Sequence, residues 1–328
     1  MIELDLPPQT LTQLQRYVES TPLSAGTVRT SHWAMYGARN RISFLPARSR
    51  IGFDGGAGFD GFYPLNFGPG KLFEWARQQW TLWNTRQARR LFNRAFLATS
   101  AGGTLDLDGV TGQLGKPLTP HKALAAYYFN LIQPHLPAQP ELNYLEIGAG
   151  SGYLAALLHK TRNCKTVIID LPEIIPFSFL YMNRLFPQAV FQLPNEARDA
   201  NAISRTADFV FLTPDQCSLL PDCSIDLAIN TASFGEMLPQ QIAVYFGLLR
   251  RVMNKEGLFF TCNRVEKQMQ NYEPESTAAE SEAPMVIRFA DYPWKTSDTD
   301  LLFGPSKFHK VIQPENPMLQ RLCHLAPP

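Results

Sequence analysis

Asn143-Tyr-Leu-Glu-Ile-Gly-Ala-Gly-Ser-Gly-Tyr153 is a short apolar run broken by one acid, Glu146, then glycines at 148, 150 and 152, then the helix-forming stretch Tyr-Leu-Ala-Ala-Leu-Leu-His159. A strand, a glycine turn and a helix start in this order build a pocket out of backbone. Glycine lets the chain turn sharply and lets a ligand approach closely, and the first helical turn offers amide groups that have no intrahelical partner. The spacing then selects among nucleotide-like ligands. A dinucleotide fingerprint G-x-G-x-x-G begun at Gly148 and Gly150 needs glycine at 153, where Tyr153 stands, so NAD is disfavoured.

Two further stretches point to the same site. Thr166-Val-Ile-Ile-Asp170 is a β-branched strand ending in an acid, 20 residues after Gly150. Successive parallel strands joined by one helix end on the same sheet edge, so this acid arrives beside the glycine turn, where a carboxylate can accept hydrogen bonds from two ribose hydroxyls. Ser224-Ile-Asp-Leu-Ala-Ile-Asn230 reads as a fourth strand, followed by Thr-Ala-Ser-Phe-Gly-Glu-Met237 and a helix from about Pro239 to Asn254. Asn230, Ser233 and Glu236 become site candidates by that position.

The set Leu145-Glu-Ile-Gly-Ala-Gly-Ser-Gly152, Ile168-Ile-Asp-Leu-Pro-Glu173 and Asp226-Leu-Ala-Ile-Asn-Thr-Ala-Ser-Phe-Gly-Glu-Met237 resembles class I S-adenosylmethionine-dependent methyltransferases over about residues 120 to 265. Within them it resembles the bacterial sugar O-methyltransferase family, chiefly through Asp170-Leu-Pro-Glu173 and Asn230-Thr-x-Ser-Phe-x-Glu-Met237. The resemblance implies an α/β, Rossmann-like sheet, mostly parallel with an antiparallel last strand. It also implies S-adenosyl-L-methionine as cofactor and S-adenosyl-L-homocysteine as product. Carried over by position, the cofactor site comprises Glu146, Gly148, Ala149, Gly150, Gly152, Asp170, Leu171, Thr213, Asn230 and Ser233. The acceptor is then a sugar or another small molecule.

Composition sets the outer bounds. The 328 residues suffice for one large domain with an appendage, and 45% hydrophobic with 18% charged residues describes a globular chain. A net charge of +1 gives no argument for a nucleic-acid partner or a membrane surface. Five cysteines, odd in number and without a C-x-x-C pair, read as reduced thiols. The start Met-Ile-Glu-Leu-Asp-Leu-Pro-Pro has no basic region leading into an apolar one, and no apolar stretch reaches spanning length, so the expected location is cytoplasmic. A homo-oligomer is compatible with all of this.

Residues 1–118 are expected to form a mainly helical N-terminal cap that shapes the acceptor pocket, and 119–328 the cofactor-binding domain with a flexible insert at about 270–284. In the cap, 11–20 reads as a short helix, 35–70 as loop and Lys71 to Ala95 as a long helix carrying five arginines. Thr119 and Pro120 open the helix that leads into the sheet, and Glu173 to Phe186 forms the helix after Asp170. For the third strand, 207–212 is preferred to 189–193 for its β composition, which leaves 188–206 as an insertion. Leu258 to Cys262 is the fifth strand, and Met285 to Phe289 and Lys307 to Ile312 are the expected last two.

Methyl transfer from a sulfonium is an in-line displacement, so the protein has to align the partners and remove the acceptor proton. Glu236 is the first candidate base and His121 the second, with His309 and Asp226 behind them. The acid pairs Asp106/Asp108 and Asp298/Asp300 make no convincing metal set, so metal assistance is not expected. Trp294, Tyr63 and Trp80 are aromatics that could stack on a sugar ring. Two competing functions remain: methylation of another natural-product acceptor at oxygen or nitrogen, and a scaffold that binds cofactor without turnover. The Asn-Pro-Pro-Tyr motif of base methylation is absent where Asn230-Thr-Ala-Ser stands.

Overall fold

The N-terminal segment contains more strand than its composition suggests. Strand β1 (Ile2–Asp5) precedes helix α1 (Pro8–Ser20), and β2 (Arg41–Leu45) and β3 (Arg50–Asp54) pair with β1 in a small antiparallel sheet of order β1-β3-β2. Two strands therefore lie inside 35–70, the stretch expected to be loop. Each alternates polar and apolar residues, and the register sets Ile42 opposite Phe53 and Phe44 opposite Ile51. The computed structural model describes residues 2–21, 41–45, 50–54, 90, 114, 120–138, 141–197, 199, 206–269, 285–312 and 314–328. The helix expected over 71–95, the insert at 270–284, Asp106, Asp108, Tyr63 and Trp80 lie outside these residues, except for Arg90.

Helix α2 (Pro120–Ile132) leads into β4 (Asn143–Ile147), α3 (Tyr153–Arg162), β5 (Lys165–Ile169), α4 (Ile175–Leu185), β6 (Phe191–Gln192) and β7 (Phe209–Leu212). Then follow β8 (Ile225–Thr231), α5 (Pro239–Val252), β9 (Met253–Arg264), the paired strands β10 (Glu266–Met269) and β11 (Met285–Arg288), β12 (Thr299–Pro305), α6 (Lys307–Ile312) and β13 (Met318–His324). Among the described residues the main sheet has eight strands in the order β12-β13-β9-β8-β4-β5-β7-β6. β6 through β9 and β4 with its neighbours are mutually parallel, and β13 runs antiparallel to both β9 and β12. This is the mostly parallel sheet with an antiparallel last strand that the sequence implied.

The central strands read as continuous apolar runs because both faces are covered. Along β4, Leu145 and Ile147 pack with α5 and β9 residues such as Phe246 and Phe259, whereas Tyr144 packs on the other face with α2, α3 and α4. Side chains alternate along a strand, so Glu146 shares the face of Tyr144. The chain runs outward from β4 through β5 and β7 and then returns to β8 on the other side of β4. Such a reversal opens a crevice at the carboxyl ends of the strands.

Several expected elements differ in the structure. The 207–212 stretch is the interior third strand, and part of the rejected stretch, β6, joins the same sheet at its edge instead of lying in a plain insertion. Lys307–Ile312 is a helix and not a strand: the Lys310 amide donates to the Ser306 carbonyl, and Phe308 and His309 turn inward. Met285–Arg288 is a strand, yet it pairs with β10 outside the main sheet, so the last two strands are β12 and β13. Helix α5 stops at Val252 because β9 begins at the next residue.

The five cysteines are free, four of them buried. No helix among the described residues is long and apolar enough to cross a membrane. The C-terminal strands are tied to α5 by a buried ion pair. Arg250 donates to both oxygens of Asp298, at 2.8 and 3.1 Å, and also to the carbonyls of Pro293 and Ala326. Removing one partner strands a charge in a site where both side chains are at most 6% exposed. Asp298→Ala is expected to destabilise the fold by about 3 kcal/mol or more, read as a lowered midpoint in urea unfolding.

Candidate functional site

The glycine loop is held in a shape that only glycine adopts without strain. Gly148, Gly150 and Gly152 have φ of 71°, 57° and 72°. At Gly148 a Cβ would clash with the Ser233 Cβ and Oγ, so packing requires that glycine as well, whereas at Gly152 it would meet the flexible end of Met182 at 2.6 Å. Gly150 is different, because a Cβ there would meet nothing within 4 Å among the described residues. The loop has open space above its middle glycine. Ala149 sits between them, packed against the core on the α3 side.

Asp170, just past β5, ties this loop to the next strand. Its Oδ2 accepts from the Gly150 amide at 2.8 Å and its Oδ1 from the Leu171 amide at 2.8 Å. Each oxygen keeps a second lone pair for a ligand hydroxyl. Glu146 is 3% exposed, and among the described residues its Oε2 has no hydrogen-bond partner. Burial pushes the Glu146 carboxyl up to about 8, opposed by the Tyr144 hydroxyl beside it and by the amide of Ala155 in the first turn of α3, with the Asp170 charge adding to the rise. Burial likewise pushes Asp170 up to about 7, opposed by the Gly150 and Leu171 amides. Glu146 faces the helix start at which a dinucleotide would lay its pyrophosphate. A buried carboxyl group there favours a cationic ligand over an anionic one.

Asn230 and Ser233, both expected at the cofactor, are hydrogen-bonded within the protein. The Asn230 Nδ2 donates to the Ile147 carbonyl at 3.0 Å and to Ser233 Oγ at 2.5 Å, and its Oδ1 accepts from Phe234 N and Asn263 Nδ2. All four of its hydrogen-bonding positions are spent inside the protein, and it is 0% exposed. Ser233 Oγ also reaches the Ile147 carbonyl at 3.3 Å. Together they clamp the end of β8 to the end of β4, beneath the glycine loop. Asn263 and Thr261 on β9 extend the network and were not recognised in the sequence. Ala232, between them, holds φ at 60°, a strained value for a residue with a Cβ.

Thr213 follows β7, whose Leu212 carbonyl accepts from the Asp170 amide at 3.2 Å. Its own amide and hydroxyl both donate to Gln216 Oε1 at 3.1 Å, a capping box opening the turn Pro214–Leu219. Beside it lies a cavity of about 540 Å³ lined by Pro194, Asn195, Ala197, Asp215, Gln216 and Leu219, and by Ser20 and Thr21 at the end of α1. The Asn195 Oδ1 is buried and has no partner among the described residues. The capping pattern Thr213-x-x-Gln216 was visible in the chain, whereas nothing in it announced that α1 would reach this cavity.

The candidate bases separate clearly. Glu236 lies in the turn Phe234–Glu236 after β8, and one oxygen is 2.7 Å from Lys267 Nζ on β10, both side chains being largely buried. His121 is exposed on the first turn of α2. His309 is 3% exposed, bonded through Nδ1 to Ser306 Oγ at 2.8 Å, and burial pushes it down to about 4, so it is a neutral core residue. Asp226 accepts from the Asn143 amide and from Asn254. Trp294 donates to the Phe289 carbonyl and carries Arg321 4.1 Å from its ring centroid, which leaves it a packing residue.

No family model and no curated protein matches the chain. Solved structures with a similar fold include geranyl diphosphate C-methyltransferase from Streptomyces coelicolor A3(2), in complex with Mg2+, geranyl diphosphate and S-adenosyl-L-homocysteine. It is 11% identical over 74% of this chain and 98% of that one, with a TM-score of 0.41. The [4+2]-cyclase SpnF is 12% identical over 73% and 93%, with a TM-score of 0.40. The YcgJ protein from Bacillus subtilis is 15% identical over 42% of this chain and 50% of that one, so the match spans half its length, with a TM-score of 0.31. Likenesses this distant carry no argument about activity.

The two raised carboxyl groups link stability to pH. The folded protein holds these protons more tightly than the unfolded chain does, so stability is full below about pH 4 and falls as pH rises through about 7 and 8. His309 acts oppositely, losing stability on acidification from about 6.5 towards 4, and is silent above that window. Between pH 6.5 and 8 the ligand-free protein is therefore expected to lose thermal stability, and Glu146→Gln should flatten most of that decline in a melting series.

Proposed function

We propose that the chain is an S-adenosylmethionine-dependent methyltransferase acting on a hydroxyl of a sugar or glycosylated small molecule, with S-adenosylhomocysteine as product. The observation that carries the donor half is the buried Oε2 of Glu146, unpartnered among the described residues, beside Asp170 and under a glycine loop whose middle residue faces open space. Such a site gains from a ligand that brings positive charge and ribose hydroxyls together, and S-adenosylmethionine has a sulfonium, an ammonium group and a ribose. When bound, the donor supplies a methyl group already activated by the sulfonium.

The residues of the chain do the rest. Glu146 offers its spare oxygen to a cationic group, Asp170 offers its spare lone pairs to the ribose, and the loop amides lie within reach of the ligand. Ala149, Leu171 and Thr213 are assigned to the same site by their positions in the chain. Glu236, at the carboxyl end of β8, takes the proton from the acceptor hydroxyl, and Lys267 keeps its carboxylate in place. The sugar acceptor rests on the resemblance of Asp170-Leu-Pro-Glu173 and of the 230–237 stretch. His121 on the exposed turn of α2 is the reserve base.

A cofactor-binding scaffold without turnover is the second reading. The Glu236–Lys267 ion pair favours it, since one carboxylate oxygen is already held by an ammonium group of the protein. Calorimetry with S-adenosylmethionine tests the donor site: binding is expected in the wild type and is expected to be lost in Gly150→Arg, whose side chain would fill the open space. An absence of wild-type binding at millimolar donor refutes the proposal. Methyl transfer to nucleotide sugars and glycosides separates enzyme from scaffold. Glu236→Gln should slow that transfer by about a hundredfold with donor affinity unchanged, and an unaltered rate would place the base elsewhere.

A further inference from the structure

Helix α1 docks on the sheet edge through one face. Thr10, Leu14 and Tyr17 are buried along it, at the spacing of a helical stripe. Thr10 bonds Asn183 on α4 at 3.2 Å, and Gln13 donates to the Phe191 carbonyl and to the Glu196 carboxylate. The Tyr17 hydroxyl, on a side chain 1% exposed, donates to the Pro172 carbonyl at 2.9 Å. Pro172 is two residues past Asp170 in the segment that the Ile174 and Ile175 amides close onto the Leu171 carbonyl. One turn further on, Ser20 and Thr21 form a wall of the cavity beside Thr213.

Resting on the donor reading above, we propose that Tyr17 is a positioning residue of the donor site. It fixes the segment that aims Asp170, and it holds the end of α1 against the cavity so that donor binding and helix docking strengthen each other. The physical ground is linkage. The cavity walled by α1, by 194–197 and by 213–219 shares Thr213 with the residues assigned to the donor, so a donor that reaches Thr213 through it touches both the helix and the sheet. It binds the docked arrangement better than the undocked one and shifts the population accordingly. The Tyr17 hydroxyl is suited to this part, because burial, and then the charges of Glu173, Asp170 and Asp215, keep it protonated far above its ordinary range. It remains a donor at every working pH.

The test uses the full chain with S-adenosylhomocysteine as probe. Tyr17→Phe keeps the ring and removes the bond to Pro172, and is expected to weaken calorimetric affinity by about tenfold. Thr21→Trp leaves Tyr17 in place and fills the cavity, and is expected to abolish binding. In the wild type the probe should slow amide hydrogen exchange over residues 10–20. If Tyr17→Phe lowers only the melting temperature and leaves the affinity as it was, Tyr17 is a packing residue and the proposal fails. Wild-type affinity in Thr21→Trp, or exchange in α1 that ignores the probe, overturns it too. A wild type that does not bind the probe at all sinks the donor reading itself, a result distinct from binding that is indifferent to α1.

Discussion

The bond from the Gly150 amide to the Asp170 carboxylate joins the two pieces of chain on which everything at the carboxyl edge depends. Gly150 belongs to the turn between β4 and α3, and Asp170 to the end of β5. Parallel pairing brings the strands alongside, and beyond it the Gly148 amide still reaches the Ile169 carbonyl, but the middle of the loop is left to other bonds. The carboxylate supplies these, accepting from Gly150 with one oxygen and from Leu171 with the other. The loop is thereby presented with its middle glycine facing open space. On the opposite side of β4, Asn230 and Ser233 perform the matching task by holding the Ile147 carbonyl.

This arrangement keeps acids where burial disfavours their charge. Glu146 and Asp170 are each under 10% exposed, and both are held above the ordinary carboxylate range by burial. A protein selected for stability alone would place apolar residues at the end of β4, as it does at Leu145 and Ile147. Retaining Glu146 makes sense where a ligand's positive charge offsets the desolvation. The strained Ala232 belongs to the same pattern, since it lies in the turn that brings Ser233 under the glycine loop.

Much of the sheet domain was legible in the chain because its signals are local. The apolar runs of β4, β5, β7 and β8, and the acids Glu146 and Asp170, could be read at their positions. Lys307–Ile312 misled because six residues are too few to separate helical from strand periodicity, and the outcome turned on Phe308 and His309 entering the core together. Met285–Arg288 was recognised as a strand but not its partner, since pairing with β10 is not written in its composition. Asn230 stands at the end of β8 as expected, and its bonds are a separate matter. Its neighbours Asn263 and Ile147 are far away in sequence, and only folding uses up its hydrogen bonds.

The amino-acid sequence by itself determined the glycine turn, the two acids that flank it and the parallel sheet that carries them. Backbone freedom at glycine, β-branched strand runs and an acid at a strand end are properties of short segments. The tertiary structure alone decided that Glu146 keeps an oxygen unpartnered among the described residues, that Lys267 pairs with Glu236, and that Tyr17 reaches a carbonyl 155 residues away. Each of these depends on which groups have been withdrawn from water together, and desolvation is a property of the packed chain and not of any segment of it.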